Sequence, residues 1–378
     1  MAMNQLIEGL LGHGHQLKVL AVNSFKYKVN PNEIPASYQK QTGIEFVKLN
    51  LRLKPIPAFM NWVLGRSYHV QRFISGSFRE KLVEILLNDQ FDIVQMETVF
   101  MAPYVDLIRE HSRAKIVFRA HNIEHLIWQR MHKQEKNMLK KAYLSSLYKS
   151  LKKYEIHVLD QFDGIMPISE EDAGFFRQNS AKPVQTIPFG IDIQKTDSFK
   201  EVKLERNLFH IGAMNWMPNL EGIKWFLDEV WPRLQRKIPE AKLTLAGREM
   251  PDWLLKLKGK NLVVYGEVAD AKAFIQSGEI SIAPLLSGSG IRIKILESMS
   301  MAKPVVSTSV GAEGIEYQQG KNILIADNAD EFVNAIQFLY EHPVQAVNIG
   351  QNAQQLIAER YNPQVIIRKL TAFYQKIL

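Results

Sequence analysis

The stretch that decides the fold is ISIAPLLSGSGIRIKILESMSMAKPVVST, residues 280–308. Its pattern predicts a buried strand over 280–284, a turn rich in glycine and serine, and a helix over 291–301. Pro304 ends that helix and opens a second, β-branched strand over 305–308. A strand that leads through a glycine turn into a helix, and then into another buried strand, is the repeating unit of a parallel α/β sheet.

Two cations, Arg292 and Lys294, fall in the first turn of this predicted helix. Positive charge there opposes the helix dipole, whereas the free N–H groups of a helix N-terminus favour an anion such as a phosphate. An anion held between the two cations is the simplest reason for their position. An ordinary strand–turn–helix with solvated charges also fits the spacing, so the pattern alone leaves both interpretations open.

The chain of 378 residues is long enough for two domains. Its net charge of +8 and its pI near 9.3 favour anionic partners such as nucleotides, phosphosugars or an acidic membrane surface. The absence of cysteine excludes disulfides, thiolate zinc sites and thiol catalysis. No segment approaches the roughly 20 apolar residues that span a bilayer, and residues 1–11 lack the features of a signal peptide. We expect a cytoplasmic protein, with peripheral contact to the inner face of a membrane left open.

Strand and helix patterns alternate along the chain, which predicts two consecutive doubly wound α/β domains, at 1–187 and 188–362. If their sheets face each other, the carboxyl ends of the strands lie on either side of a cleft. The chain opens with a helix at 2–11 instead of a strand. The first domain is therefore predicted to lack its first strand, either because that strand precedes this sequence or because the sheet is one strand short.

Three finer predictions concern the first domain. The pattern indicates a long helical stretch over 124–158, a helix with Ser169 as its N-cap, and a short strand over 184–187.

Several well-known chemical motifs are missing. Gly-x-Gly-x-x-Gly does not follow a strand, and no Gly-x-x-x-x-Gly-Lys-Ser/Thr occurs, so dinucleotide redox and P-loop chemistry are poorly supported. Gly-x-Ser-x-Gly is absent, the histidines are scattered, and no Asp-x-Asp pair ends a strand. We therefore expect neither a metal nor a bound cofactor. One carboxylate, Glu297, lies one turn behind the two cations and could bind vicinal ribose hydroxyls; the alternative is a solvated glutamate paired with Lys294.

The segment 290–308 resembles the donor-binding signature of family 4 glycosyltransferases, the group 1 glycosyl transferases, whose GT-B fold consists of two facing Rossmann-like domains. Further stretches resemble the same family in the same order along the chain. They are 188–192 (PFGID), 209–212 (FHIG) with 216–219 (WMPN), and 310–315 (VGAEGI). The resemblance covers nearly the whole chain from residue 2 onward.

By this resemblance, Glu297 holds the ribose of the nucleotide, and the backbone N–H groups of Gly290 and Ile291 meet the sugar and the diphosphate. Ser289 stands where the family has a further carboxylate for the hydroxyls of the donor sugar. Gly212 resembles the glycine that allows close approach of the donor phosphate.

Arg292 and Lys294 resemble the cations with which a sub-group of the family neutralises the leaving diphosphate. His121, in the segment RAHNIE, resembles the active-site histidine that faces the transferred sugar; a histidine that only caps a helix after a strand is the alternative. The last helix, 363–378, is expected to pack back on the first domain, as in similar proteins.

The function implied is a retaining, metal-independent hexosyltransferase. It would move a sugar from a UDP- or GDP-sugar to a hydroxyl of a glycan or lipid-linked acceptor, in cell-surface polysaccharide biosynthesis. A sugar-nucleotide epimerase or phosphorylase of the same fold is one alternative, and a catalytically inactive nucleotide-sugar-binding protein is another. Nucleic acid is not expected as a partner, because no module of interleaved aromatic and basic residues occurs.

Two segments are candidates for contact with the membrane or the acceptor. Residues 128–153 carry eight lysines and arginines against one acid, with an apolar stripe at helical spacing. Such a basic amphipathic segment binds anionic lipid, although a helix packed on the sheet with a solvated basic face explains it too. The second candidate is 52–72, for which an irregular packed loop is the alternative.

Overall fold

Every pair of neighbouring strands in the described residues is parallel, as the alternation of strands and helices predicts. The computed structural model describes residues 2–25, 28–52, 60, 67–193, 205–288 and 290–378. The chain divides into two units. The first is Met1–Phe189 together with Ile366–Leu378, and the second is Gly190–Val365.

The described residues of the first unit form five strands in two sheets. The strands are β1 (Leu20–Ser24), β2 (Glu45–Leu49), β3 (Ile93–Met96), β4 (Lys115–Ala120) and β5 (Gly164–Pro167). Its α-helices before the second unit are α1 (Ala2–Gly12), α2 (Ala36–Thr42), α3 (Tyr68–Gln71), α4 (Gly76–Asn88), α5 (Val105–His111), α6 (Glu124–Gln134), α7 (Met138–Val158) and α8 (Glu170–Asn179). Short 3-10 turns lie at Pro31–Glu33, Val99–Tyr104 and Leu159–Gln161.

The sheet of the first unit is interrupted between β1 and β3. Strands β1 and β2 form one sheet, and β3, β4 and β5 form the other. In a doubly wound sheet the first strand lies between the second and the fourth. Because β1 and β2 take the second and third places and β3 takes the fourth, the described residues leave the first place without a strand. Among the described residues, the division into two sheets is the arrangement that the prediction expects when the first strand is missing.

The helical stretch predicted over 124–158 is present but is divided into two helices, α6 and α7. Asn137 ends the continuity: its side chain accepts hydrogen bonds from the backbone N–H groups of Leu139 and Lys140 and so caps α7. The predicted N-cap is confirmed, since the Ser169 hydroxyl accepts the N–H of Asp172 at 3.1 Å. The predicted strand over 184–187 is reduced to an isolated bridge at Val184.

The C-terminal helix, Pro363–Ile377, packs on the first unit through its buried face. Ile366, Leu370 and Phe373 share a core cluster with Leu6 and Leu10 of α1. Gly164 at the start of β5 makes room for this helix, because a Cβ there would lie 2.8 Å from the ring of Phe373.

The second unit is a six-stranded sheet in the order β11-β10-β9-β6-β7-β8. The strands are β6 (Asn207–Ile211), β7 (Lys242–Ala246), β8 (Leu262–Gly266), β9 (Ile280–Ala283), β10 (Val305–Ser307) and β11 (Leu324–Ile325). The helices are α9 (Met217–Trp225), a π-turn at Phe226–Val230, α10 (Trp231–Lys237), α11 (Asp252–Leu255), α12 (Ala271–Ser277), α13 (Ile293–Ser300), α14 (Ala329–Glu341) and α15 (Pro343–Arg360), which makes the C-terminal helix α16.

The chain order reverses between β6 and β9. From β6 it proceeds outward through β7 and β8, and it then returns to place β9 on the other side of β6. In open α/β sheets the crevice at the carboxyl ends of the strands flanking such a reversal is the usual ligand site. Binding groups are therefore expected in the loops after β6 and β9.

Candidate functional site

Two glycines bring the loops after β6 and β9 close together. A Cβ on Gly222 of α9 would lie 2.3 Å from the carbonyl oxygen of Pro284, in the loop after β9. A Cβ on Gly212, in the loop after β6, would lie 2.8 Å from the Asn219 amide nitrogen. A side chain at Gly222 would push α9 away from the loop after β9, and one at Gly212 would push Asn219 away from the loop after β6, so the close packing here depends on both glycines.

Lys294, in the first turn of α13, is held by two polar side chains from the neighbouring loop and strand. Its ammonium donates to Asn219 Oδ1 at 2.6 Å and lies 3.4 Å from His210 Nε2. The Asn219 amide donates in turn to the carbonyl of Ala213 at 2.8 Å. His210 Nδ1 lies 2.9 Å from the carbonyl oxygen of Ile282. These contacts place one cation at the point where the strand order reverses.

The protonation of this cluster follows from its burial. Burial lowers the pKa of His210 well below its ordinary value, and the Lys294 charge lowers it further. The ring is therefore neutral, donates from Nδ1 to Ile282, and offers the Nε2 lone pair to Lys294. Burial, followed by the charge of Arg292, lowers the pKa of Lys294 from 10.5 to about 7. An anion that binds beside Lys294 would therefore draw a proton onto it.

Arg292 does not lie in the first helical turn as predicted. Helix α13 begins at Ile293, and Arg292 is its N-cap, with an extended backbone. The guanidinium is buried, contacts the carbonyl of Gly290, and lies 3.9 Å from the carboxylate of Glu313. Its carbon lies 5.2 Å from the centroid of the Trp216 ring. These tertiary contacts, which the local sequence does not show, pull Arg292 out of the helix.

The loop before α13 presents two of the predicted backbone donors. Gly290 has a φ of 83°, which favours glycine. Within the described part of the chain, no acceptor receives the N–H of Gly290 or of Ile291. Ser289, the predicted contact to the donor sugar, lies outside the described residues.

Glu297, the predicted ribose ligand, is half-buried on α13. Burial raises the pKa of its carboxyl, while the charge of Lys272 acts in the opposite direction. The ion pair with Lys294 that the spacing allowed is not formed, since Lys294 bonds to Asn219 and His210 instead. Among the residues that the structure describes, none donates a hydrogen bond to the carboxylate.

In the first unit, His121 lies directly after β4, and its ring is a quarter exposed. Its Nε2 is 2.7 Å from Glu97 Oε2, at the end of the adjacent strand β3. The ring stacks on Phe189 with centroids 5.8 Å apart. Arg119, two residues earlier on β4, is completely buried, with its Nε 3.7 Å from the same Glu97 oxygen.

No metal cluster is found in the described residues: no three histidine, aspartate or glutamate side chains there could hold one ion. The independence from metal that the sequence implied remains a prediction.

Apolar and basic side chains are exposed side by side at the turn between α6 and α7 and in the first turn of α7. Met138 and Leu139 are 79% and 84% exposed, and Lys136 and Lys140 beside them are exposed as well. The apolar stripe predicted on this segment faces inward at Leu147 and Leu151, which are buried. Most of the other membrane candidate, 52–72, lies outside the described residues. None of the described helices is both long and apolar enough to cross a membrane.

Sequence reasoning missed three of these groups. Glu97 directly follows β3 just as His121 directly follows β4, and that shared position was the available signal. His210 and Asn219 lie within quoted motifs, yet nothing local linked them to Lys294, which is 84 and 75 residues away from them.

Two Rossmann-like α/β units with a polar cluster at a strand-order reversal define the fold as GT-B. The family model described as "Glycosyltransferase Family 4" matches residues 2–195, just over half of the 378 residues. The model described as "Glycosyl transferases group 1" matches residues 205–342. The protein belongs to glycosyltransferase family 4.

Relatives and solved structures agree with this assignment. The chain is 25% identical, over 77% of its length and 76% of the relative, to an "Uncharacterized 44.6 kDa protein in cps region" of Klebsiella pneumoniae. A sucrose-phosphate synthase structure from Thermosynechococcus elongatus superposes with a TM-score of 0.69 at 15% identity, covering 99% of this chain and 92% of that one. The Anabaena Alr3699/HepE structure in complex with UDP gives a TM-score of 0.66 at 13% identity, covering 95% and 100%. At these identities, the two structural likenesses show the fold alone.

Proposed function

We propose that this glycosyltransferase transfers a sugar from a UDP- or GDP-sugar to a hydroxyl of a glycan or a lipid-linked acceptor, with retention at the anomeric carbon. The observation that carries the donor assignment is the Lys294 cluster at the strand-order reversal. A cation lies there within one short segment, 290–297, together with two backbone N–H groups and a carboxylate that have no hydrogen-bond partner among the described residues. A nucleoside diphosphate offers the complementary groups, namely anionic oxygens and ribose hydroxyls.

Each group has a defined task in this proposal. Lys294, protonated when the donor binds, neutralises the diphosphate, and the N–H groups of Gly290 and Ile291 hydrogen-bond its oxygens. Glu297 accepts hydrogen bonds from the ribose. The same contacts stabilise the charge that develops on the diphosphate as the glycosidic bond breaks, which is the largest contribution a protein makes to such a transfer.

Arg292 also helps to stabilise the charge of the diphosphate, because its guanidinium donates to the carbonyl of Gly290 in the loop that binds the diphosphate. With two protein cations beside the diphosphate, we propose that no metal is needed. In the first unit, His121 faces the transferred sugar.

The acceptor side rests on a different surface. The exposed side chains of Met138 and Leu139, at the start of α7, are flanked by lysines. This surface combines apolar and cationic groups, as lipid-binding segments do. The relative from a cps region supports a role in polysaccharide synthesis. We propose a peripheral position on the inner face of a membrane, with a glycan or lipid-linked acceptor.

The test is a thermal-shift and calorimetric screen of UDP, GDP, ADP and their sugars, followed by product analysis. We expect one nucleoside diphosphate to stabilise the protein, and Arg292→Ala to weaken that diphosphate more than the matching nucleoside. Equal loss for both ligands would refute the phosphate role of Arg292.

A catalytically inactive binding protein is the second candidate, favoured by the interrupted sheet of the first unit. Donor binding without transfer to any acceptor would identify it. Conversion of the labelled nucleotide-sugar in the absence of acceptor would instead indicate an epimerase.

A further inference from the structure

A carboxylate not assigned by any sequence motif lies beside the proposed active-site histidine. We propose that Glu97 is a positioning residue for sugar transfer: it fixes the tautomer of His121 so that Nδ1 is the ring nitrogen presented to a substrate hydroxyl. This inference rests on the proposed role of His121, and it adds Glu97 as the group that fixes the tautomer of His121 for that role.

The hydrogen-bond directions around Glu97 determine which atoms of its neighbours donate to it. A carboxylate can only accept, so Gln95 must turn its amide NH₂ toward Glu97, and its amide oxygen then accepts from the hydroxyl of Tyr374. His121 must likewise donate from Nε2 to Glu97 across the 2.7 Å contact. The hydrogen bonds thus run from Tyr374 on α16 to Gln95 and from Gln95 to Glu97. His121, which follows β4, donates to the same carboxylate.

The charge on Glu97 is maintained by its surroundings. Burial alone raises the pKa of this carboxyl, but the hydrogen bond from His121 and the charge of Arg119 outweigh burial and lower the pKa. Arg119 is completely buried, and none of its guanidinium nitrogens has a hydrogen-bond partner among the described residues. Its main electrostatic partner is therefore Glu97, so the carboxylate stays ionised as an acceptor for His121.

The other ring nitrogen of His121 is left for a ligand. With the proton on Nε2, Nδ1 of the neutral ring is an acceptor, and no described residue bonds to it. Stacking on Phe189 restricts rotation of the ring. A sugar hydroxyl can donate to Nδ1, whereas the opposite tautomer would present an N–H, from which the hydroxyl could only accept.

Glu97→Gln tests this arrangement with almost no change in shape. Gln95 and His121 contact different oxygens of Glu97, and the glutamine replaces one of these oxygens with an NH₂ group, which must then face one of the two donors. When it faces His121, it needs an unprotonated Nε2, which moves the proton to Nδ1. Glu97→Asp is the companion variant: it keeps the charge that Arg119 requires, but shortens the reach to His121 by one methylene.

The experiment measures kcat and KM in a double-mutant cycle of Glu97→Gln with His121→Ala, and records the ¹⁵N spectrum of labelled histidine. We expect Glu97→Gln and Glu97→Asp to lower kcat by about 10- to 100-fold with little change in donor KM, and to have no further effect when His121 is alanine. Glu110→Gln, a carboxylate on α5 that is 71% exposed, is the matched control and should change neither value.

Two results would overturn the inference. One is an equal loss of kcat from Glu97→Gln with and without His121, since this would indicate a structural role only. The other is a wild-type spectrum in which His121 carries its proton on Nδ1. The spectrum decides the tautomer whether or not transfer is observed, so a failure of the proposed function and a failure of this inference remain distinguishable.

Discussion

Lys294 gives the sharpest prediction, because its lowered pKa makes its charge state change near neutral pH. In the free protein, burial and the charge of Arg292 lower the pKa of Lys294 to about 7. If the donor diphosphate binds only to the protonated ammonium, each molecule that binds above this pH must first take up a proton. The affinity must therefore fall as the pH rises.

The size of the effect follows from that pKa. About half of the free protein carries the proton at pH 7, and about 1% carries it at pH 9. The nucleoside diphosphate should therefore bind roughly 50-fold more weakly at pH 9 than at pH 7. The ligand contributes little to this difference, because a terminal phosphate loses its second proton near pH 6.

Calorimetric titration of the nucleoside diphosphate into wild type, Lys294→Met and Lys294→Arg measures the effect. The methionine variant should bind about 10- to 100-fold more weakly than wild type at pH 7 and show no decline toward pH 9. The arginine variant keeps its charge at both pH values, so its affinity should also be flat. Proton uptake by wild type, measured from the dependence of the heat on the buffer, should disappear in both variants. A wild-type decline equal to that of the methionine variant would refute the role of Lys294.

Three further predictions concern the rest of the account. Glu297→Ala should raise the donor KM or abolish turnover, because the ribose loses its acceptor, and wild-type kinetics would exclude the assignment. Gly212→Ala should destabilise the protein by about 1–3 kcal/mol in chemical denaturation and weaken donor binding, because its Cβ would displace Asn219 from Lys294. The matched control, Gly174→Ala in the open interior of α8, should stabilise by about 0.5–1 kcal/mol, and the same outcome for both would contradict the packing argument. Leu139→Ser should reduce binding to anionic vesicles about tenfold or more. Leu87→Ser, at another exposed apolar site (70% exposed, on α4), should not reduce it. Equal effects of the two substitutions would contradict a lipid-binding role of the α6–α7 turn.

The alternation of strands and helices was predictable from the sequence because it depends on local hydrophobic period and on turn residues. The β9–α13 segment and the Ser169 cap belong to this class. The limits of helices were less predictable, because they depend on single capping side chains. Asn137 divides a segment whose apolar spacing continues through it, and Arg292 leaves the helix because its guanidinium binds the 310–313 loop.

The candidate site was predictable only where it lies within one short segment. Gly290, Ile291, Lys294 and Glu297 lie within one short segment, 290–297, so a pattern identified them together. The partners of Lys294 come from another strand and helix, and they meet it only because β6 and β9 are neighbours in the sheet. Glu97 meets His121 for the same reason, since strand order and register, which no local pattern encodes, bring the two strand ends together.

The central claim is that the chain transfers sugar from a nucleotide-sugar without a metal. The direct measurement is incubation of the protein with radiolabelled UDP- and GDP-sugars and with membranes of its own organism, in the presence of a chelator. The account predicts that label enters a glycan or lipid-linked product, with release of an equal amount of nucleoside diphosphate, and that Lys294→Met greatly reduces both. Tight binding of the nucleotide-sugar without any labelled product, or transfer that requires an added divalent cation, would contradict it.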